Sequence, residues 1–264
     1  MLSNRSNTSR LIKQLQHEAR ENFKDRIHAV RKEIYTAAAA EMTGAMSYLG
    51  SIPSLNPAEK NIADGMIPFS KEAAKLQVVA ETETALAMNN LVALYTSTFL
   101  EFLRLAEPAH SAKADIAMAN EFYQNQIAES QRAYAEIQRR RETGSSDATS
   151  EEAIWDSHKR AVDLSQKYGA DRAAAWNRFN AAYLNYVQAL IPKMPNLQAK
   201  QHALLVMMRR DLALDSDTDA MLENISEQWD SVRSELENLL AYLKNQSSDE
   251  ESRNAAPLKK NDNS

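Results

Sequence analysis

Three consecutive arginines, Arg139, Arg140 and Arg141, are the densest concentration of positive charge in the chain. A guanidinium offers planar, paired donors, so a triplet of them can grip phosphate or a lipid headgroup. The surrounding run, EIQRRRETGSSDATSEEAIW over residues 136–155, supports a second reading. Positive charge is favoured in the last turn of a helix, and Gly144 supplies a left-handed stop. Thr149 and Glu152 then have the spacing of a capping box for the next helix. Residues 143–149 are thus expected to link two long antiparallel helices, with Lys159 and Arg160 returning to within about 20 Å of the turn. Glu136, Glu142, Asp147, Glu151, Glu152 and Asp156 dilute that basic patch.

Other residues with chemical potential form no complete set. Asp215, Asp217 and Asp219 begin like a calcium loop, but Ala220 stands where the turn needs Gly and Ser226 where a bidentate Glu belongs. They are read as capping and dipole partners. Glu107 with His110, and Asp25 with His28, have the carboxylate-x-x-His spacing of di-iron bundles. That chemistry needs two such pairs and two further inward acids on apolar faces. The five histidines have no Ser or Asp in a recognised catalytic pattern, and the chain has no glycine-rich loop or nucleophile elbow. Cysteine is absent, which excludes disulfides, thiol nucleophiles and cysteine-ligated zinc. No catalytic, cofactor-binding or metal residue is assigned, and the chain is read as non-enzymatic.

The elements that carry these residues are expected to be helices throughout. Five Gly and seven Pro in 264 residues give too little turn chemistry for an all-β or α/β fold. A hydrophobic fraction of 44% is enough to fill a core. A first helix over about 8–48 places Ile12, Leu15, Ala19, Phe23, Ile27, Val30, Ile34 and Ala38 at steps of three and four. The stretch 50–69, broken by Pro53, Pro57, Gly65 and Pro68, is a connector with one short turn begun by Asn56 and Pro57. Helices follow over about 70–107 and 109–142, separated at Pro108. The second has a heptad-like run of Ile116, Asn120, Tyr123, Ile127, Ser130, Tyr134 and Ile137. A helix over 150–190 has Trp155, Val162, Gly169, Trp176, Tyr183 and Leu190 seven apart. Two more are expected over 197–214 and 217–244. The last has the cleanest heptads in the chain, Leu222, Ile225, Trp229, Val232, Leu236, Leu239 and Leu243, which are candidate helix-docking residues. Residues 245–264 lack an apolar period and are expected to be disordered. The fold class is all-α: one elongated antiparallel long-helix bundle or coiled coil over 1–244, with a C-terminal tail.

Net charge is −5, which argues against general nucleic-acid binding. The charge is uneven: residues 1–32 hold eight Lys/Arg against three acids, for +5. A basic amphipathic start of this kind can touch anionic lipid or an acidic partner. Residues 1–17 have no acid and are rich in Ser, Asn and Arg, so a mitochondrial leader is the secondary reading there. The apolar window 91–105 is too short to span a bilayer and is expected to be core. The expected location is cytoplasmic or peripheral to a membrane.

The order of a long helix over 8–48, a long helix over 70–142 interrupted at Pro108, and a third over 150–190 returning from a basic tip resembles the BAR superfamily. In that family two units dimerise into a curved bundle whose basic surface binds anionic membrane, with an amphipathic N-terminus assisting. The resemblance implies a homodimer, makes Arg139, Arg140, Arg141, Lys159 and Arg160 lipid contacts at the tip, and puts Arg5, Arg10 and Lys13 on an N-terminal amphipathic segment. A dimeric scaffold peripheral to anionic membrane is the resulting expectation. The alternative is a soluble helical-bundle adaptor or secreted helical effector with a protein partner, docking through the 222–243 heptads.

Overall fold

In the computed structural model the described backbone covers residues 2–144 and 147–214, with 234, 235, 238 and 241 beyond. The side chains described begin at Lys13 and omit Ala148. Apart from those four positions, the expected helix over 217–244 lies outside the described residues, as do its heptad residues Leu222 to Leu243, the tail and the acidic run from Asp215. Within them the chain is all-helical, with no strand. Five α-helices follow one another: α1 (Leu2–Ser51), α2 (Ile67–Val79), α3 (Thr82–Thr143), α4 (Ala148–Leu190) and α5 (Met194–Asp211). Short 3-10 turns at Ile52–Ser54, Ile62–Met66 and Ile191–Lys193 join them.

The chain divides into two compact units. The first takes residues 1–50, 63–100 and 188–264, and the second takes 51–62 and 101–187.

The first unit packs the C-terminal half of α1 with α2, the start of α3 and α5. Tyr35, Ala38, Met42, Ala45 and Leu49 follow the helical period along α1 and are all buried. Phe69, Leu76, Leu91, Tyr95, Leu197, Leu204 and Met208 are buried as well, with the Phe69 and Tyr95 rings 4.9 Å apart. A polar knot sits inside this core. Gln201 donates to the Met42 carbonyl at 2.8 Å and also to the Tyr95 hydroxyl, which in turn reaches the same carbonyl. A buried amide without such partners would cost about 1–3 kcal/mol. Burial holds the Tyr95 phenol well above its ordinary ionisation range.

The second unit is a helical hairpin with the 51–62 segment laid against it. Partners across α3 and α4 run in opposite directions: Phe102 meets Tyr186, Asp115 meets Arg178, Asn120 meets Arg172, and Ser130 meets His158. Its buried positions are mostly small: Ala106, Ala109, Ala112, Ala119 and Ala133 on α3, and Ala161, Ser165 and Ala175 on α4. Small residues allow close backbone approach, so larger side chains are pushed to the rim of the seam. This corrects the expected stripes. Ile137 is buried, but Tyr134, Trp155 and Trp176 are substantially exposed and Asn120 faces solvent.

Two boundaries also differ from expectation. Pro108 does not break the helix: α3 is continuous from Thr82 to Thr143. Proline removes one backbone donor, but buried turns flank it, with Phe102 and Ala106 before and Ala109 and Ala112 after. His110 adds a 2.8 Å hydrogen bond to the Ile52 carbonyl. The interruption falls instead at Ala80, whose backbone is extended (ψ 159°). No Gly or Pro marks that point. It is held by α1 and α5: Arg31 donates to the Val79 carbonyl at 2.6 Å, and Asp211 accepts the Glu81 N–H at 3.3 Å. α1 itself extends further at its N-terminal end than the expected start near residue 8. Asn56 does begin a single turn, accepting the Ala58 N–H on its side chain at 3.1 Å.

Candidate functional site

The hairpin end of the second unit has its stop at Gly144 as expected, but α4 starts earlier than the expected capping box, so Asp147 rather than Thr149 holds the cap position. Thr143 closes α3, Gly144 adopts φ 64°, and Ala148 opens α4. Thr149 stands inside the first turn of α4, and the Glu151 N–H bonds to the Asp147 carbonyl at 2.9 Å.

The arginine triplet lies at this tip with carboxylates already in place. Arg139 and Arg140 both donate to Glu136, at 2.9 and 2.7 Å. Arg140 also reaches the Ser150 hydroxyl. Arg141 donates to Glu151 at 2.8 Å and lies 5.9 Å from the centre of the Trp155 ring. The two hydrogen bonds from Arg139 and Arg140 hold the Glu136 carboxyl down at about 2. Glu136 sits one turn before the arginines, a pairing favoured on helices. An incoming phosphate must therefore compete with two resident carboxylates. Lys159 and Arg160 are exposed and form no ion pair with a described residue.

A second basic surface lies on α1 in the first unit. Between Lys13 and Lys32 nearly all of the helix is exposed. Leu15, Phe23, Ile27 and Val30 are 56%, 63%, 38% and 48% exposed, and their spacing puts them on one face. Lys13, Arg20 and Lys24 fall along one flank of that face, while Glu18 and Asp25 fall along the other. Large apolar side chains in a row on a charged helix mark an interaction surface rather than a solvated one. Arg5 and Arg10 are on the same helix, upstream of the described side chains.

The base of this face is tied down by polar contacts. His28 donates to the Leu212 carbonyl at 2.9 Å, Arg31 pairs with Glu81 at 2.7 Å, and Tyr35 donates to Asp211 at 2.6 Å. Burial and the Asp211 carboxylate raise the Tyr35 phenol far above its usual range. His28 and His110, the two histidines with di-iron spacing, thus each serve to fasten a helix to a backbone carbonyl. No group of three or more His, Asp or Glu that could hold a metal occurs among the described residues.

Sequence reasoning missed one surface in the second unit. An open groove of about 860 Å³ is lined by Ala58, Lys113, Ile116, Asn120, Arg172 and Trp176. Arg172 lies 4.5 Å over the Tyr123 ring and donates to Asn120 at 2.8 Å. Trp176 belongs to the row of residues seven apart on the expected 150–190 helix. The alanine seam displaces it to the groove, and seven-residue spacing alone does not distinguish these positions. No described helix is long and apolar enough to cross a membrane.

Comparison of the chain with protein-family models, with curated proteins and with solved structures finds no match.

Proposed function

We propose that the protein is a non-enzymatic helical scaffold that works as a homodimer and rests on anionic membrane through the basic apolar face of α1. The observation that carries this reading is the exposed row Leu15, Phe23, Ile27 and Val30, flanked by Lys13, Arg20 and Lys24. A helix of this kind lies in the membrane interface, apolar side down, with its cations among anionic headgroups. Each cation near such a surface contributes about 1 kcal/mol, and salt screens the attraction. The contact moves from the hairpin tip, where Arg139, Arg140 and Arg141 have carboxylate partners, to α1. Lys159 and Arg160 remain accessible as auxiliary contacts.

Sedimentation with phosphatidylserine vesicles tests the reading. Binding is expected at low salt and is expected to fall in high salt or on zwitterionic vesicles. Phe23→Ser with Ile27→Ser should reduce it at least about tenfold, whereas Arg139→Glu should change it little. Lack of binding at every lipid composition removes the membrane reading. Light scattering decides the dimer, and a monomer mass at micromolar concentration removes it.

A further inference from the structure

We infer that the acidic heptad segment 217–244 docks antiparallel on the exposed apolar face of α1, within the same chain. Four observations converge on this occupant. First, the apolar row on α1 is bare in the described structure. Second, the chain is delivered to its base. α5 runs antiparallel to α1, as Gln201 meets Met42, Asp211 meets Tyr35 and Leu212 meets His28. Leu214, the last residue of the continuous described chain, therefore lies where the bare half of α1 begins.

Third, the lengths agree. From His28 back to Leu2, α1 runs for roughly 40 Å, and residues 215–243 would cover roughly the same distance as a helix. Fourth, the charges are opposite. Residues 1–32 carry +5, while residues 215–244 hold eight acids against Arg233 and Lys244, for −6. Opposite net charge across an apolar seam favours one partner over another. A second copy of α1 would set +5 against +5, so the acidic segment is the better occupant.

The inference concerns the face on which the membrane reading rests, and there the segment is a competitor for lipid.

The chain has no cysteine, so introduced thiols report contact without background. In the full-length protein Phe23→Cys is combined in turn with Leu222→Cys, Ile225→Cys and Trp229→Cys, and with Leu243→Cys as the out-of-register control. Under mild oxidation in dilute protein, at least one of the first three pairs should form an intrachain disulfide at least about tenfold faster than the control. The triple change Glu223→Lys, Asp230→Lys and Glu237→Lys should slow that reaction, most at low salt. The inference is overturned if no pair closes within the chain. It is also overturned if Phe23→Cys alone gives an interchain disulfide as fast as the pairs, which would assign the face to a second copy. Vesicle binding by the same proteins separates the two ideas. Intrachain closure with no vesicle binding by the triple variant leaves the docking and removes the membrane reading. Vesicle binding without closure does the reverse.

Discussion

His202 lies half-buried on α5 beside Gln201, and burial lowers its pKa below the ordinary value of 6.5. The folded state thus resists protonating an imidazole that the unfolded chain protonates readily. Stability from this residue is present above the ordinary value and is lost as pH falls below it, because the unfolded state then binds more protons. Thermal unfolding across that range should show His202→Gln losing less stability on acidification than the parent protein. Some individual roles were open to sequence reasoning. Gly144 as a left-handed stop followed from its place after a basic helix end. The ties made by His28, Arg31 and Tyr35 were not legible. Their partners, Leu212, Glu81 and Asp211, are brought to them only by tertiary packing.

Helices were easier to read than their interruptions. The alternation of apolar steps and the scarcity of Gly and Pro indicated long helices, and the described chain is built from them. Pro108 misled because proline is a local signal while helix continuity here is a packing result. Its ring costs a hydrogen bond wherever it stands, yet buried alanines on either side keep the axis intact. Pro108→Ala should therefore restore a donor without changing the fold, raising the unfolding free energy by about 1–3 kcal/mol in denaturant titration. The bend at Ala80 misled in the opposite sense, since nothing in its own sequence announces it. The seam between α3 and α4 was misassigned because large side chains were counted as the signal. Alanines and Ser165 fill the buried line, so Trp155 and Trp176 lie at its edge.

At the scale of the whole chain, each unit draws on segments far apart in sequence, which no periodicity reveals. The two units provide separate sites for perturbation. In the first, Gly65 lies against the Tyr48 ring so closely that an added Cβ would overlap it. In the second, Gly144 needs a positive φ but has open space around it. Gly65→Ala should cost about 1–3 kcal/mol through displacement of the ring, and Gly144→Ala about 1–2 kcal/mol through backbone strain. The two share no neighbour, so the double variant should show the sum to within about 0.5 kcal/mol. A larger deviation in calorimetry would mean that the units sense one another energetically. The charge asymmetry of the chain was legible from its ends alone, whereas the bare face that gives it meaning emerged only with the side chains in place.

The desolvated phenols have an optical consequence. Tyr35, Tyr48 and Tyr95 all lie in the first unit, and desolvation raises the pKa of each. In an alkaline ultraviolet titration these three should lag behind solvent-exposed tyrosines, keeping the absorbance of un-ionised phenol until the surrounding helices part. With Tyr186, which is buried in the second unit, replaced by Phe, the delayed fraction of tyrosinate absorbance would then be an intrinsic, label-free reporter of when the first unit opens.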